Sequence, residues 1–209
     1  MIRLQDAADL LVEIGRRFDA RGWVLGTSGN FSVVTSRDPL RMAITPSAAS
    51  KGALTRDQIL EIDAQGAVVP DNAGKPSAEC LLHLRVAEIC DAGAVLHTHS
   101  VWGTILSDVH ACREGLAIEG YEMLKGLEGV HTHQHREWIP ILENDQEMTR
   151  LADRVRAMLH EHPSAHAFLL RRHGLYTWGE DLPQAVRHVE ILEFLFESIG
   201  RAAMMTPSC

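Results

Sequence analysis

The chain has 209 residues, enough for one domain with an ordinary hydrophobic core, and we predict a single domain over residues 1–209. Its composition, 45% hydrophobic and 23% charged, is typical of a folded globular protein and excludes a disordered one. The net charge of −8 argues against a nucleic-acid or anionic-membrane partner, and no apolar run approaches the roughly 20 residues that a membrane helix needs.

The first half of the chain alternates between helical and strand-like patterns. An amphipathic helix is predicted over residues 4–20, because its apolar residues recur at helical spacing. Two β-rich runs follow at 31–36 and 41–46, and a hairpin is predicted over 59–70. Ser77 is predicted to cap a helix that runs through Cys90.

The second half continues the mixture of strands and helices. Residues 94–99 read as a buried strand, and Ser100 is predicted to start a short helix. The remaining predicted elements are strands at 115–118 and 138–142, a helix at 146–161, a strand–turn–strand unit at 167–178 and a last helix from Asp181 to about Gly200. Several hairpin-like pairs among these elements predict a largely antiparallel sheet covered by helices.

A histidine pair suggests a metal site. His97 and His99 lie two residues apart, and side-chain alternation along a strand would put both imidazoles on one face. A catalytic zinc site typically has three protein ligands and one open position, and His173, between a buried strand and Gly174, is the best third candidate. A chance spacing in a chain with 12 histidines explains the bare pair equally well.

Other histidines are predicted to have no role in metal binding. Residues 131–135 contain three histidines without a strand frame, so we predict a surface or interface loop there. Five further histidines are predicted to be structural: His83, His160, His162, His166 and His188.

Three segments are rich in hydrogen-bond donors and predict an anion site. GTSGN at 26–30 presents small residues with successive backbone N–H groups, which suit phosphate oxygens. TPSAASKG at 45–52 adds hydroxyls and a lysine, and Ser77 lies at a predicted helix N-terminus, where the dipole favours an anion. The predicted phosphate contacts are Thr27, Ser28, Gly29, Asn30, Ser47, Lys51 and Ser77.

The motifs GTSGN, KPSAE, HTHS and RRHG, in this order, resemble the class II aldolase/adducin family over nearly the whole chain. That family includes zinc-dependent sugar-phosphate aldolases, epimerases and dehydratases. The resemblance implies an αβα sandwich around a largely antiparallel sheet. It also implies one Zn²⁺ per subunit, held by His97, His99 and His173, a small phosphorylated ketose as substrate, and a homotetramer with active sites between subunits.

Two carboxylates receive roles from the same resemblance. YEMLKG at 121–126, together with RRHGLYTWGE at 171–180, resembles the dehydratases of the family, and Glu122 takes the position of their general acid/base. Glu79, in KPSAE, falls where the aldolases place their catalytic carboxylate, whereas some dehydratases carry cysteine there. We therefore rank Glu79 second, as a group that orients substrate or water, or that only favours the helix N-terminus.

Two alternatives stay open at this stage. The first is a class II aldolase of the fuculose-phosphate type, which would cleave a C–C bond with Glu79 as acid/base. The second is a non-catalytic module like the adducin head, against which the presence of all three histidines argues.

Cysteine usage and the start of the chain predict a cytoplasmic protein. The four cysteines include no CxxC pair, and the acidic N-terminal segment lacks the apolar stretch of a signal peptide. We therefore predict free thiols at Cys80, Cys90, Cys112 and Cys209.

Overall fold

The computed structural model describes residues 2–69 and 74–205, in which helices cover both faces of an eight-stranded sheet. The strands are β1 (Asn30–Arg37), β2 (Leu40–Ile44), β3 (Leu60–Asp63), β4 (Ala94–Thr98), β5 (Gly115–Ile118), β6 (Glu137–Leu142), β7 (Ala167–Leu170) and β8 (Gly174–Gly179). The α-helices are α1 (Leu4–Ala20), α2 (Cys80–Ile89), α3 (Val101–Val109), α4 (Met148–Glu161) and α5 (Leu182–Met205).

The strand order is β3-β2-β1-β4-β8-β7-β6-β5. Every neighbouring pair is antiparallel except β6 and β7, which confirms the predicted, largely antiparallel sheet. These directions bring the carboxyl ends of β4, β6 and β7 to the same edge as the amino ends of β1 and β8. Segments that are far apart in the sequence therefore meet at this edge.

The two helical layers follow from side-chain alternation along the strands. On β4, Ala94 and Leu96 pack with apolar residues of α1 and α5, whereas Val95 packs with those of α2 and α4. Because successive side chains of a strand point to opposite faces, β4 is buried on both sides. The result is the predicted αβα sandwich.

Most predicted elements appear at their predicted positions, but the predicted start of α2 is wrong. The structure begins this helix at Cys80 with Glu79 as its N-cap residue, so Ser77 is not the cap. The Ser77 hydroxyl instead accepts a hydrogen bond of 3.3 Å from the Glu79 backbone N–H in the turn before the helix. The last helix extends beyond Gly200 to Met205.

The predicted hairpin is only partly formed. Its first strand is β3, and Val68 makes an isolated antiparallel bridge with Ile62, while Pro70 lies outside the described residues. Among the helices of the described segments, none combines the length and apolarity needed to span a membrane. The described cysteines, Cys80, Cys90 and Cys112, are free thiols, and Cys209 lies outside the described residues.

Candidate metal centre and adjoining cavity

The three predicted metal ligands come together at the shared edge of the sheet. His97 is near the carboxyl end of β4, His99 follows that strand, and His173 lies in the turn between β7 and β8. One ligand nitrogen from each lies within 4.8 Å of the others, and the ring centroids are 4.5–4.9 Å apart. This arrangement is compact enough for one ion to bind all three imidazoles.

Two glycines allow neighbouring segments of the chain to lie close to the backbone of β4, which carries His97. A Cβ atom at Gly174 would lie 2.0 Å from the Thr98 carbonyl oxygen, so no other residue fits at the start of β8 without moving β4. Gly29 has φ of +70°, and a Cβ there would lie 2.8 Å from the His97 carbonyl oxygen. Glycine adopts this left-handed conformation without steric cost.

His97 is oriented with a free nitrogen toward the cluster. It is fully buried, and its Nδ1 donates a hydrogen bond of 2.8 Å to the Leu175 carbonyl oxygen. Because a carbonyl only accepts, the proton is on Nδ1 and the lone pair is on Nε2. Nε2 has no hydrogen-bond partner among the described residues. A buried nitrogen without a partner is costly, and a bound metal ion would satisfy it.

The electrostatics of the cluster favour neutral imidazoles, the form that binds metal. Burial, followed by the proximity of His99 and His173, holds the pKa of His97 well below its usual range. Burial, and then the charges of His173 and Lys51, lower the pKa of His99 to about 4. Burial also lowers the pKa of His173, although Glu79 opposes that shift.

Glu79 borders the same space. Its Oε1 lies 3.2 Å from His173 Nε2, and its Oε2 lies 3.7 Å from His97 Nε2. The side-chain amide of Asn30 donates a hydrogen bond to Oε2. The structure therefore places Glu79, the second-ranked carboxylate, directly beside His97 and His173.

A cavity of about 490 Å³ opens next to the histidines. It is lined by all seven predicted phosphate contacts, which are Thr27, Ser28, Gly29, Asn30, Ser47, Lys51 and Ser77, together with Glu79, His99 and His173. The donor-rich loops and the three histidines thus adjoin one cavity, which is large enough for a small phosphorylated sugar.

Lys51 and Ser28 supply buried donors to this cavity. The Lys51 ammonium donates to the carbonyl oxygens of Thr27 at 3.0 Å and Ala49 at 2.7 Å, which ties two of the donor-rich loops together. An ammonium has three protons, so one donor is left for a ligand. The Ser28 hydroxyl is buried without a hydrogen-bond partner among the described residues. Burial lowers the pKa of Lys51 to about 8, while Glu79 acts in the opposite direction.

Glu122 is not part of this cavity within one chain. It begins a short 3-10 helix, Glu122–Gly126, and its side chain is 71% exposed. It forms ion pairs with Lys125 at 2.6 Å and His133 at 3.7 Å, and Lys125 lowers its pKa. Nothing in a single chain brings it to the metal histidines, so its catalytic role stays a prediction.

The histidines of residues 131–135, together with His166 and His188, do not line the cavity. Residues 131–134 are exposed, as predicted for a surface loop. His135 and His166 both pair with the buried Glu137 carboxylate, at 2.8 Å and 3.0 Å, and His188 donates to the Trp178 carbonyl oxygen at 2.7 Å. These contacts are structural, as predicted for His166 and His188.

The cavity also contains residues that the sequence analysis missed: Asn144, Gln146, Met148 and Arg172. The first three follow the carboxyl end of β6, which runs parallel to β7 and so ends beside the turn that carries His173. A signal existed only for Arg172, whose place in RRHG directly precedes His173.

Comparison with known proteins identifies the family of the chain. A family model described as the class II aldolase and adducin N-terminal domain matches residues 9–199. The methylthioribulose-1-phosphate dehydratase of Marinobacter nauticus is 40% identical over 196 residues, 93% of each protein. The enzyme of the same name from Methylococcus capsulatus is 43% identical over 188 residues, 90% of this chain and 89% of the relative.

Solved structures with the same fold are more distant in sequence. YgbL from Klebsiella pneumoniae superposes with a TM-score of 0.82 at 24% identity, covering 99% of this chain and 94% of that protein. An L-fuculose-1-phosphate aldolase from Thermus thermophilus gives a TM-score of 0.76 at 22% identity, with 97% of each chain covered. At these identities the likeness establishes the fold alone.

Proposed function

The chain belongs to the class II aldolase and adducin family, and we propose that it is a hydro-lyase of the methionine salvage pathway. It removes water from 5-methylthioribulose 1-phosphate and yields 2,3-diketo-5-methylthiopentyl 1-phosphate. The observation that carries the proposal is that three neutral histidines adjoin a cavity lined with hydrogen-bond donors, at one edge of the sheet. The dehydratases at 40% and 43% identity over most of both chains support the choice of reaction.

The metal we propose is zinc, one ion per subunit, held by His97, His99 and His173. The partnerless Nε2 of His97 and the lowered pKa values of the three histidines fit a metal that prefers neutral imidazole ligands. Lewis-acid polarisation of the substrate carbonyl is the chemistry that zinc would supply there.

The donor-rich loops hold the substrate by its phosphate. The Lys51 ammonium and the Ser28 hydroxyl are buried donors with capacity left for phosphate oxygens. Because the chain has a net charge of −8, this local binding must overcome an unfavourable overall field. Fixing the phosphate also fixes the carbon chain, so that the same carbon is presented to the catalytic base each time.

The product defines which bonds the acid/base must handle. A 2,3-diketone forms when the C3 proton and the C4 hydroxyl leave and the resulting enol becomes a ketone. We assign Glu122 to remove the C3 proton and to protonate the departing hydroxyl. Glu79 orients the substrate or a water from its position beside His173.

This assignment requires Glu122 to come from a neighbouring subunit of a homotetramer. The exposure of Glu122 in the single chain supports that role. Apolar side chains at Val101, Ile105 and Val109 are also exposed at four-residue spacing along one face of α3, and Met123 is exposed beside Glu122. Such surfaces are typical of subunit contacts. The free thiols at Cys80, Cys90 and Cys112 support the predicted cytoplasmic location.

One observation favours an aldolase as the second candidate: Glu79, not Glu122, lies beside the metal histidines within one chain. Incubation of the purified zinc-loaded protein with methylthioribulose 1-phosphate and with fuculose 1-phosphate separates the two reactions. We expect the diketone phosphate from the first sugar and no cleavage of the second. Release of dihydroxyacetone phosphate and an aldehyde, without water loss from the first sugar, would establish the aldolase instead.

A further inference from the structure

His83 lies beneath the cavity and is connected to it through one residue. It is fully buried on the face of α2 that packs against the sheet. Its Nδ1 is 2.7 Å from the Ser32 hydroxyl on β1, and its Nε2 contacts the side-chain carbonyl of Asn30. The amide of the same Asn30 side chain donates to Glu79. A continuous chain of polar groups therefore runs from β1 through α2 to the Glu79 carboxylate.

The direction of each hydrogen bond in this chain is determined. An ionised carboxylate only accepts, so the NH₂ group of Asn30 must face Glu79 and its carbonyl oxygen must face His83. That oxygen needs a donor, which fixes the His83 proton on Nε2. His83 Nδ1 then accepts the Ser32 hydroxyl proton. This tautomer is the opposite of that of His97, whose proton is on Nδ1.

We propose that His83 is a positioning residue of the active site, which acts through Asn30 to hold the Glu79 carboxylate beside His97 and His173. A side-chain amide can rotate by 180° and exchange its donor and acceptor ends. The donor on His83 prevents this rotation, because the rotated amide would turn its NH₂ group toward the Nε2 proton and its oxygen toward the carboxylate. The other side-chain neighbours of Glu79 include His173, whose Nε2 lies 3.2 Å from Oε1, and the buried Tyr176 hydroxyl.

His83 suits this role because it carries no charge. Burial lowers its pKa to about 3, so it stays neutral across the pH range in which the enzyme would work. The neutral imidazole fixes the orientation of the Asn30 amide without adding a charge next to the three histidines.

The test compares two variants of His83 with a matched control. His83→Leu removes the donor, whereas His83→Gln retains an amide that can donate to Asn30 and accept from Ser32. His188→Gln serves as the control, because His188 is also a buried histidine with two hydrogen bonds, but it lies away from the cavity. If His83→Leu does not fold, His83→Asn replaces it, since asparagine is too short to reach both partners.

The first readout is the position of Glu79 in crystal structures of the zinc-loaded proteins. We expect the carboxylate to be displaced or disordered in His83→Leu and to keep its wild-type position in His83→Gln and His188→Gln. An unchanged Glu79 in His83→Leu would overturn the proposal. This readout does not depend on the proposed function: if the wild-type protein fails to turn over methylthioribulose 1-phosphate, the function fails while the crystals still decide the role of His83.

The second readout is turnover, which rests on the proposed function. We expect His83→Leu to lower kcat about 10-fold with little change in KM, the scale of a lost partner of an active-site residue, and His83→Gln to restore most of it. In a Glu79→Gln background the same His83→Leu change should have no additional effect, because its influence passes through Glu79. An equal loss of kcat in both backgrounds would show that His83 acts independently of Glu79.

Discussion

The individual side chains of the site differ in how strongly the fold determines their chemical state. His97 has its Nδ1 proton committed to Leu175, so only Nε2 is free. Lys51 is fully buried and already donates to two carbonyl oxygens, so its remaining proton has a restricted direction. Glu122, by contrast, has only exposed partners. These differences decide what each substitution should change.

Replacing a metal histidine should remove metal and activity together. The wild-type protein is expected to contain about one zinc per chain, as in other sites with three protein ligands. His97→Ala and His173→Ala should each lose most of that zinc, measured by atomic absorption after dialysis, while His131→Ala in the exposed loop should retain it. An active His173→Ala protein with normal zinc would exclude His173 from the site.

The affinity of the cavity for phosphate should fall as the pH rises through about 8, the pKa to which burial lowers Lys51. Below that pH the ammonium is charged and attracts the anion, and above it the attraction is lost. The inhibition constant of inorganic phosphate for the wild-type enzyme should therefore rise as the assay pH is increased from neutral to above about 8. Lys51→Ala should bind phosphate weakly throughout, with normal zinc content. The same pH dependence in Lys51→Ala would exclude Lys51 as its source.

The two carboxylates should contribute unequally to turnover. Glu122→Gln keeps the shape of the side chain but removes the base, and should lower kcat by ~10² or more with zinc retained. Glu79→Gln should cost less, because the metal and the phosphate contacts still position the substrate. Both variants must be compared when fully zinc-loaded, since a carboxylate near the metal also affects its affinity. Complete loss in Glu79→Gln with a nearly silent Glu122→Gln would favour the aldolase.

Among the helices and strands, the sequence correctly predicted most features that depend only on neighbouring residues, such as helix bounds and caps. Helix α1 begins and ends where its apolar periodicity does, and Ser100 caps α3 by accepting from the Gly103 N–H at 3.0 Å. The predicted cap of α2 is wrong because the Ser77 hydroxyl accepts a hydrogen bond from the Glu79 N–H, which lies in the turn before the helix. A serine favours such a turn as much as it favours a helix cap, so the sequence does not separate the two. The parallel pairing of β6 with β7, which brings Asn144 beside His173, is a long-range contact without a local signal.

The packing of α5 on β4 should make stability depend on pH. Burial raises the pKa of Glu193 to about 7 from its ordinary 4.5, although hydrogen bonds from Ser100 and Thr98 oppose the shift. The folded state therefore holds a proton that the unfolded state releases, so this contribution to stability is present at low pH and is lost as pH rises through about 7. Between pH 4.5 and about pH 7, the loss in the free energy of unfolding from this group is on the order of 3 kcal/mol.

Glu193→Gln should remove this contribution, because glutamine mimics the protonated acid at every pH. The free energy of unfolding, measured with urea at about pH 5 and pH 7.5, should differ less between the two conditions in Glu193→Gln than in the wild type. Glu13→Gln, a change at an exposed position on α1, is the control and should behave like the wild type. An equal pH difference in all three proteins would mean that Glu193 does not titrate in this window.

At the scale of the whole molecule, the single chain holds the metal and phosphate parts of the site but not the proposed base. The apolar stripe of Val101, Ile105 and Val109 and the exposed position of Glu122 both suggest that a second copy completes it. No local pattern in the sequence specifies which part of a neighbour reaches the cavity. The assembly can be tested by separating the two halves of the site onto different subunits.

Mixed tetramers of two inactive variants should recover activity if each site is shared. His97→Ala lacks the metal half and Glu122→Gln lacks the base, so each should be inactive alone. In randomly mixed tetramers made by co-expression at equal levels, about a quarter of the sites would combine an intact metal half with an intact Glu122 from the neighbour, and turnover should approach that fraction of wild type. The control is a mixture of His97→Ala with His173→Ala, in which both changes fall in the metal half, and it should stay inactive. Mixed tetramers that are verified by mass spectrometry and yet inactive would show that Glu122 does not reach the metal of another subunit.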